Sequence, residues 1–549
     1  MAGISLVFNI GRRSLSANQK ALQTTSQNIA NVSTVGYSRQ EAVFSATNPE
    51  NGRPGQIGTG VETKEVRRIV DRFVEAQIVS SKSNFGRLEI EESLFRRIES
   101  AFGDAEGTGI NQALNDFFAS LNDVSNNPHD LSARVSLIER GEALIQRFHK
   151  SDTQFQDIRN DANRDAVAVI GDINLLAGQI AKLNGEIKQA EFTGQNANDL
   201  RDVRQRHLND LADKIDITTI EDGFGQTTVF VGSGKPLIDG ELSGVLEGMA
   251  DAADNGYVNV GFKVGSGSAV DITALISSGR LKGLLDMRDQ VIPDYLNTLD
   301  QLAAATINEI NQQHRAGFGL DGSTATDFFS PLTPSSTGLS ANTGSAVVAV
   351  TISNPTALTF DAYDLTFAGG NYTLTNRDTG ASTTGVYVDP TTVTFEGLDV
   401  AISSTPAAGD VFQISAHKGA SGLMSVSLTD PNRVAASSTL AGIPGDNGNA
   451  LLLSGIQDRQ ITALSSSSLQ GYYSAFMGRI GVRSQATQRN AAVEEAIRSQ
   501  LQNLREEVSG VSLDEEMTNI IRFQRAYEAS ARVITMADEL LQTVLGIMR

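Results

Sequence analysis

The sequence predicts a multidomain α+β protein: coiled-coil helices from both termini, a long-helix bundle domain, and one or more inserted β-rich domains. Three observations carry that prediction. Apolar residues recur every seven positions at both ends of the chain, the same step runs through a long central segment, and two stretches between the helical parts show strand patterning. A length of 549 residues corresponds to roughly three or four domains. With 40% hydrophobic and 20% charged residues, the chain has the balance of a core-forming protein, not a disordered one.

At the N-terminal end Phe8, Leu15, Leu22 and Ile29 form one seam, flanked by Ile4, Ala21, Thr25 and Val32. At the other end Leu513, Ile520, Tyr527, Ile534 and Leu541 keep the same step, with Met517, Ala531 and Leu545 at companion positions. Sustained heptads are coiled-coil seams. Both are short, and the N-terminal one carries Gly11, Asn18 and Thr25 at its second core position. Such a helix is marginal alone and orders only against its opposite number or a neighbouring copy. The tail helix also has Phe523 and Val544 beside its seam, which widens its apolar face beyond what one partner needs.

The third helix is predicted over 131–191. Phe148, Phe155, Ala162, Val169, Leu176, Leu183 and Ala190 hold the seven-residue step, and Ile173, Ile180 and Ile187 fill the second seam. At about 1.5 Å per residue it is a rod of roughly 90 Å, a feature of elongated proteins. Further helical stretches are expected over 279–315 and 466–508. Between them, 217–270 alternates apolar residues with Thr and Gly, and 320–440 is rich in Ser, Thr and Gly. DLTFAGGNYTLT is a hairpin signal turning at Gly369-Gly370, and VTFEGLDVAI and DVFQIS supply further strands. The expected division is a terminal domain of 1–60 and 510–549, an elongated helical domain of 61–216, 279–317 and 441–509, and β-rich inserts of 217–278 and 318–440.

Composition excludes several functions. A formal charge of −20 repels a phosphate backbone, so no nucleic acid is expected as partner. No Lys/Arg run grips an acidic membrane surface, and no continuous apolar stretch reaches the ~18 residues of a span. The apolar residues from Ile4 to Ile10 are broken by Ser5 and Asn9 and precede Arg12 and Arg13, the reverse of a cleavable signal. Without cysteine there is no disulfide, thiolate catalyst or Cys-based zinc site; that absence suits a chain moved unfolded and refolded outside the cell. VFVGSGKP departs from a phosphate loop at Val229 and Pro236 and reads as a strand–turn. Asp161, Asn163, Asp165 and Asp172 have calcium-loop offsets, but Ala166 stands where glycine is needed and the segment is helical. His129, His149, His207, His314 and His417 are isolated in sequence, and no nucleophile elbow is present. Absence of tryptophan argues against a sugar-stacking cleft. Asp514-Glu515-Glu516 reads as favourable charge at a helix N-terminus. The expectation is a non-enzymatic protein without cofactor, metal or catalytic residues.

Gln27 to Gln40, QNIANVSTVGYSRQ, resembles the N-terminal signature of the flagellar rod/hook axial protein family, with Asn31, Gly36 and Tyr37 in its turn. Rod and hook members usually continue with Lys after the Gly-Tyr pair; Ser38-Arg39-Gln40 here resembles the hook-associated members. The tail from Gly510 to Gly546 is similar to that family's C-terminal motif throughout. LRDVRQRHLNDLA, GRLKGLLDMRD and INEINQQHRAGFGLDG agree in the interior. The likeness covers both termini and the helical middle and is weak in the β inserts. One departure is Val35, where the family usually has proline; valine leaves the hinge looser.

The resemblance implies a structural subunit of the bacterial flagellum at the junction of hook and filament. It implies self-assembly into a ring between the flagellar hook protein and the second hook–filament junction protein, with terminal helices lining an inner tube. It also implies type III export to the cell exterior without a cleavable signal, with a cytosolic export chaperone at the C-terminal region. The assembly interface is then expected at Phe8, Leu15, Leu22, Ile29, Leu513, Ile520, Tyr527, Ile534 and Leu541. A hook or distal-rod structural protein is the alternative within the family; length and the Ser-Arg-Gln continuation argue against it. A surface enzyme or adhesin carried by the β inserts is a third reading, supported by no catalytic constellation.

Overall fold

The computed structural model describes residues 2–51, 55–102, 109–232, 234–251 and 256–547. Helix α1 (Ala2–Ala30) opens the chain and leads into an antiparallel pair of strands, Gln40–Ala46 and Val61–Arg68, whose register shifts between Val43 and Phe44. This pair crosses the limit expected at residue 60. The helical body follows with α2 (Arg72–Phe102), α3 (Ile110–Asn126), α4 (Leu131–Phe192) and α5 (Asn198–Lys214). Asp130 caps α4 by accepting from the Ser132 N–H. After the first set of strands come α6 (Gly279–Asp286) and α7 (Ile292–Arg315); after the second, the short α8 (Ala420–Leu423) and α9 (Gly448–Ser454). The chain ends in α10 (Leu469–Ser509) and α11 (Leu513–Ile547).

The stretch 279–315, expected as unbroken helix, is interrupted by a π turn at Met287–Val291. Pro293 stands in the first turn of α7 and has no N–H to give the carbonyl four residues back, so the preceding turn widens. The wide turn carries buried Arg288, which donates through Nη1 to Asn163 Oδ1 (2.7 Å) and the Val258 carbonyl (2.8 Å).

α4, 62 residues long and so roughly 90 Å, is the axis of the body and packs against α2, α3, α5, α6 and α7. Its predicted seam residues Phe148, Phe155, Ala162, Ile173, Ile180 and Ile187 are buried, while Leu176 and Ala190 are half-buried. Phe155 stacks on Phe102 with ring centroids 4.1 Å apart and meets Tyr295 of α7 and Phe476 of α10. One window of α4 is apolar enough to cross a membrane by length and composition; in this fold it is the core helix. Asp161, read for its calcium-loop offset, is paired with Arg97 and Arg164.

The first β insert has a four-stranded sheet within 217–243 and a three-stranded sheet within 245–271. Three asparagines of α4 bind their backbone. Asn163 Oδ1 accepts from Val258 N–H (3.0 Å), and Asn174 both donates to and accepts from Leu246 (2.7 and 2.8 Å). Asn184, fully buried, donates to the carbonyls of Thr227 and Gly240 and accepts from Thr227 N–H. The second insert has a five-stranded sheet and a three-stranded sheet within 335–415. Its predicted hairpin pairs Ala362–Ala368 with Asn371–Asn376, and Gly369 and Gly370 both have positive φ (57° and 78°), the type I′ turn that two-residue hairpin loops favour. The flanks of this insert return to the body. Phe328 and Phe329 sit against Phe117, and Phe318 bridges to Ser437.

Arg134, 1% exposed, fastens that return: its guanidinium donates to the carbonyls of Pro128 (2.9 Å) and Val434 (2.6 Å), and burial lowers its pKa to about 10. Arg134→Met, which keeps the volume and strands the carbonyls, should cost roughly 2–3 kcal/mol in urea unfolding. Two buried histidines set an acid limit. His314 holds one tautomer, with Nδ1 at 2.7 Å from the Thr326 carbonyl and Nε2 accepting from Ala435 N–H at 3.0 Å. Burial lowers the pKa of His314 and of His417 to about 4. Between about 6.5 and 4 the unfolded chain binds these two protons and the folded chain does not, so the histidines' contribution to stability falls as pH falls through that window. Asp300, raised by burial to about 6, and Glu91, Asp152 and Asp216, also raised by burial, act in the opposite direction as pH falls toward their unfolded values of about 4. Histidine NMR should show both rings neutral at pH 5, and between pH 6.5 and 4.5 the denaturant midpoint of the wild type should fall relative to that of a His417→Gln variant.

Candidate functional site

The two ends of the chain meet. Ser14 Oγ lies 2.7 Å from Ser530 Oγ, Asn28 Nδ2 donates to Glu516 Oε2 at 3.0 Å, and a Cβ at Gly11 would stand 2.8 Å from Ile534 Cγ1. Residue numbers rise along α1 as they fall along α11, so the pair is antiparallel. The buried line of α1 is Gly11, Ala17, Asn18, Ala21, Thr24, Thr25 and Asn28; that of α11 is Glu516, Ser530 and Ala537. These small and polar side chains let the helices approach closely. The large residues read as the seam lie at its flanks. Leu15, Leu22, Ile29, Ile520, Tyr527, Ile534 and Leu541 are half-buried; Phe8 and Leu513 are exposed, at 40% and 46%. Within one chain the centre of the pair is therefore the position where Gly11, Asn18 and Thr25 looked like a weakness.

Below the pair is a polar latch built around Asn28, which is 1% exposed. Its Nδ2 donates to the Gln40 carbonyl (2.9 Å) and to Glu516. Its Oδ1 accepts from Gln40 N–H (3.0 Å) and Tyr37 Oη–H (2.9 Å). Glu516, also 1% exposed, takes a second donor from Arg39 Nε at 2.7 Å, and Arg39 Nη1 reaches Glu515 at 3.2 Å. Glu516, read as favourable charge at a helix N-terminus, does lie in the first turn of α11 and is in addition a buried, ion-paired anchor. Burial and the charges of Asp199, Asp202 and Glu516 raise the Tyr37 pKa and keep its hydroxyl a donor.

The latch continues into the body. Ser38 N–H donates to Asp202 Oδ2 (2.9 Å), Arg68 Nη1 meets Asp202 Oδ1 (2.5 Å), and Gln40 Nε2 donates to Asp199 Oδ1 (2.8 Å). The turn named from the family motif is closed by Tyr37 N–H on the Thr34 carbonyl (3.1 Å), with Gly36 at φ 79°. A Cβ at Gly36 would stand 2.7 Å from Arg206, and Arg505 donates to the Gly36 carbonyl (3.3 Å). Val35, where the family has proline, is 78% exposed at the turn's second position; the hydrogen bond forms without proline. Asn31 acts locally: its Nδ2 donates to the Gln27 carbonyl (3.0 Å), and its Oδ1 and carbonyl accept from the Thr34 hydroxyl (3.1 Å) and N–H (2.9 Å), which ties the end of α1 to the turn. Sequence reading thus named Asn31 and missed Asn28, three residues away in the same quoted motif. A cleft beside the latch is lined by Arg67, Arg68, Arg72, Arg201 and Arg204. Arg201 binds Glu191 through two nitrogens (2.6 and 2.9 Å), and Arg204 reaches Glu221, so these cations are structural. The described residues contain no group of His, Cys, Asp and Glu able to hold a metal ion.

Both halves of this closure match family models of the flagellar rod: the flagella basal body rod protein model over residues 8–37 and the flagellar basal body rod FlgEFG protein C-terminal model over 503–547. The class is thus a flagellar axial structural protein. The body matches the helical domain of flagellar hook-associated protein FlgK over 95–329, and the second insert matches the D2-like domain of flagellar hook-associated protein 1 over 338–416. Flagellar hook-associated protein 1 of Escherichia coli K12 is 29% identical over 551 residues, covering 99% of this chain and all of its own. That of Bacillus subtilis 168 is 28% identical, covering 100% of this chain and 99% of its own. The flagellar hook junction protein FlgK of Burkholderia pseudomallei shares the fold, with a TM-score of 0.69 at 22% identity over 79% of this chain and 100% of that one. The chain belongs to the flagellar hook-associated protein 1 family.

Asn28→Ala should unseat the closure. It leaves the Gln40 backbone groups and one oxygen of buried Glu516 without their partner, a loss of roughly 2–4 kcal/mol. Hydrogen exchange should show protection falling in α1 and the first turns of α11 while the core amides of α4 keep theirs.

Proposed function

We propose that the chain is a structural, non-enzymatic subunit of the flagellar hook–filament junction, assembled by packing of its terminal helices. The observation that carries this is the outer surface of the α1–α11 pair. Val7 and Phe8 on α1, and Met517, Ile521, Val533, Met536 and Leu540 on α11, are 40–62% exposed although the two helices already cover each other. At about 100° per residue, the row Leu513, Met517, Ile521 and the row Val533, Met536, Leu540 point to different sides of α11. A subunit in a continuous wall has neighbours on both sides, and each Å² of apolar surface covered there contributes about 25 cal/mol. Half-buried Leu15, Leu22, Ile29, Ile520, Tyr527, Ile534 and Leu541 then serve two contacts, one within the chain and one between chains.

The protein works outside the cell, in the flagellum, in contact with hook and junction proteins. The finer reading is a ring of copies seated on the hook protein and carrying the second hook–filament junction protein, with the helix pairs lining the central tube. Export follows the flagellar type III route without a cleavable signal. A cytosolic chaperone covers the apolar C-terminal face until assembly. The division into terminal, helical and β-insert domains belongs to this reading: only the first is committed to the tube.

Ile534→Asp tests it. A carboxylate against Gly11 is costly to bury unpaired, while the inserts lie far along the chain. The variant should keep wild-type β-insert melting, yet cells carrying it alone should keep intact hooks and release unpolymerised flagellin. Normal filaments on such cells would count against the proposal.

A further inference from the structure

We infer that the outer face of α10 is a second lateral contact, packed in the assembled junction against another copy of this chain. The inference rests on the assembly reading above. Val482, Val493, Ile497, Leu504 and Val508 are 68%, 60%, 43%, 40% and 41% exposed. At about 100° per residue they fall within an arc of about 80°, and at about 1.5 Å per residue they run for roughly 39 Å. The face that α10 turns to the body, with Phe476, Ile480, Ser484, Thr487 and Ala491 buried against α2 and its neighbours, is centred about 120° away by the same geometry. The stripe is therefore not the rim of the core-facing side. Single exposed aliphatic residues are ordinary on a protein surface; a row of five on one helical line marks a contact.

Two features identify the occupant as a second copy. The stripe ends at Val508, and after the Gly510–Ser512 connection the exposed row Leu513, Met517, Ile521 begins. The apolar surface thus passes along the chain from the body onto the terminal helix that makes the assembly contact. The stripe is also flanked by charge: exposed Arg479, Arg483 and Arg489 lie along the first half of the helix and exposed Glu507 near its end, each within about 60° of the stripe's centre, whereas Glu506 points away from it. All copies direct their terminal helices to the same tube, so their α10 helices run parallel. An axial offset of about 20 residues, roughly 30 Å, brings the basic half of one copy beside the acidic end of the next. Such a head-to-tail contact closes into a ring or continues as a helix. In the assembly α10 is then a spacer between copies that sets how far apart their bodies stand.

The chain has no cysteine, so single cysteines report directly. Ile497→Cys and Val493→Cys probe the stripe, Ser499→Cys probes a side of α10 away from both faces, and Met536→Cys probes the terminal helix. Maleimide labelling is compared between the purified monomer and hook–junction–filament structures on cells. The stripe cysteines should label freely in the monomer and about tenfold more slowly once assembled, since attack requires an accessible thiolate, while Ser499→Cys labels alike in both. Stripe cysteines that keep the monomer rate while Met536→Cys is protected would overturn the α10 contact and leave the assembly reading standing. Met536→Cys also labelling at the monomer rate would remove both.

Discussion

The carboxamide of Asn28 holds this architecture together, because among the described residues it is the one side chain hydrogen-bonded to the start of the first strand, the Gly-Tyr turn and the first turn of α11 from the end of α1. All of its hydrogen-bonding capacity is used, and its neighbour Glu516 is a buried carboxylate that depends on it and on Arg39. Breaking such a site leaves polar groups stranded out of water, which costs more than forming the bonds gained. That asymmetry makes the latch a stop as well as a link: the helix pair has one low-energy attitude on the body. Asp202 transmits that attitude onward, holding Ser38 and Arg68 together.

The same use of polar side chains recurs along α4. Asn163, Asn174 and Asn184 lie 11 and 10 residues apart, about three helical turns each, and so project from one side of the rod. Each satisfies strand backbone that has no neighbouring strand to pair with. A sheet can then rest on a helix without a continuous apolar seam between them. The long rod carries the first insert at its side, while Arg134 and the Phe117–Phe328–Phe329 cluster tie the return of the second insert to its base.

At the terminal pair, close approach and assembly share one cause. Gly11, Ala17, Ala21 and Thr25 bring α1 near to α11, and residues as large as Leu15, Leu22 and Ile534 cannot all be covered in so narrow a contact. What one chain leaves half-covered, a neighbour can complete. A stronger intramolecular coiled coil, with leucines at both core positions, would close the pair more tightly and leave less surface to join subunits.

Periodicity alone determined that both ends are helical, that a rod runs through 131–191, and that Gly369-Gly370 turns a hairpin, because each depends on local geometry: seven-residue and two-residue repeats, and a turn needing two positive φ angles. The quoted motifs at the ends placed the chain among the axial proteins. Three things were decided only in the folded chain. The centre of the terminal pair lies on Gly11, Asn18 and Thr25, not on the leucines, because the distance between two helices is set by the residues at the point of contact from both sides. Asn28, which the motif reading did not single out, meets Glu516, 488 residues away, while Asn31 stays within the turn at the end of α1. Helix 279–315 breaks at a π turn, where the demand of Pro293 and the docking of Arg288 onto α4 coincide. Each of these depends on a partner remote in sequence or on packing around it, and a one-dimensional pattern holds no record of which remote groups meet.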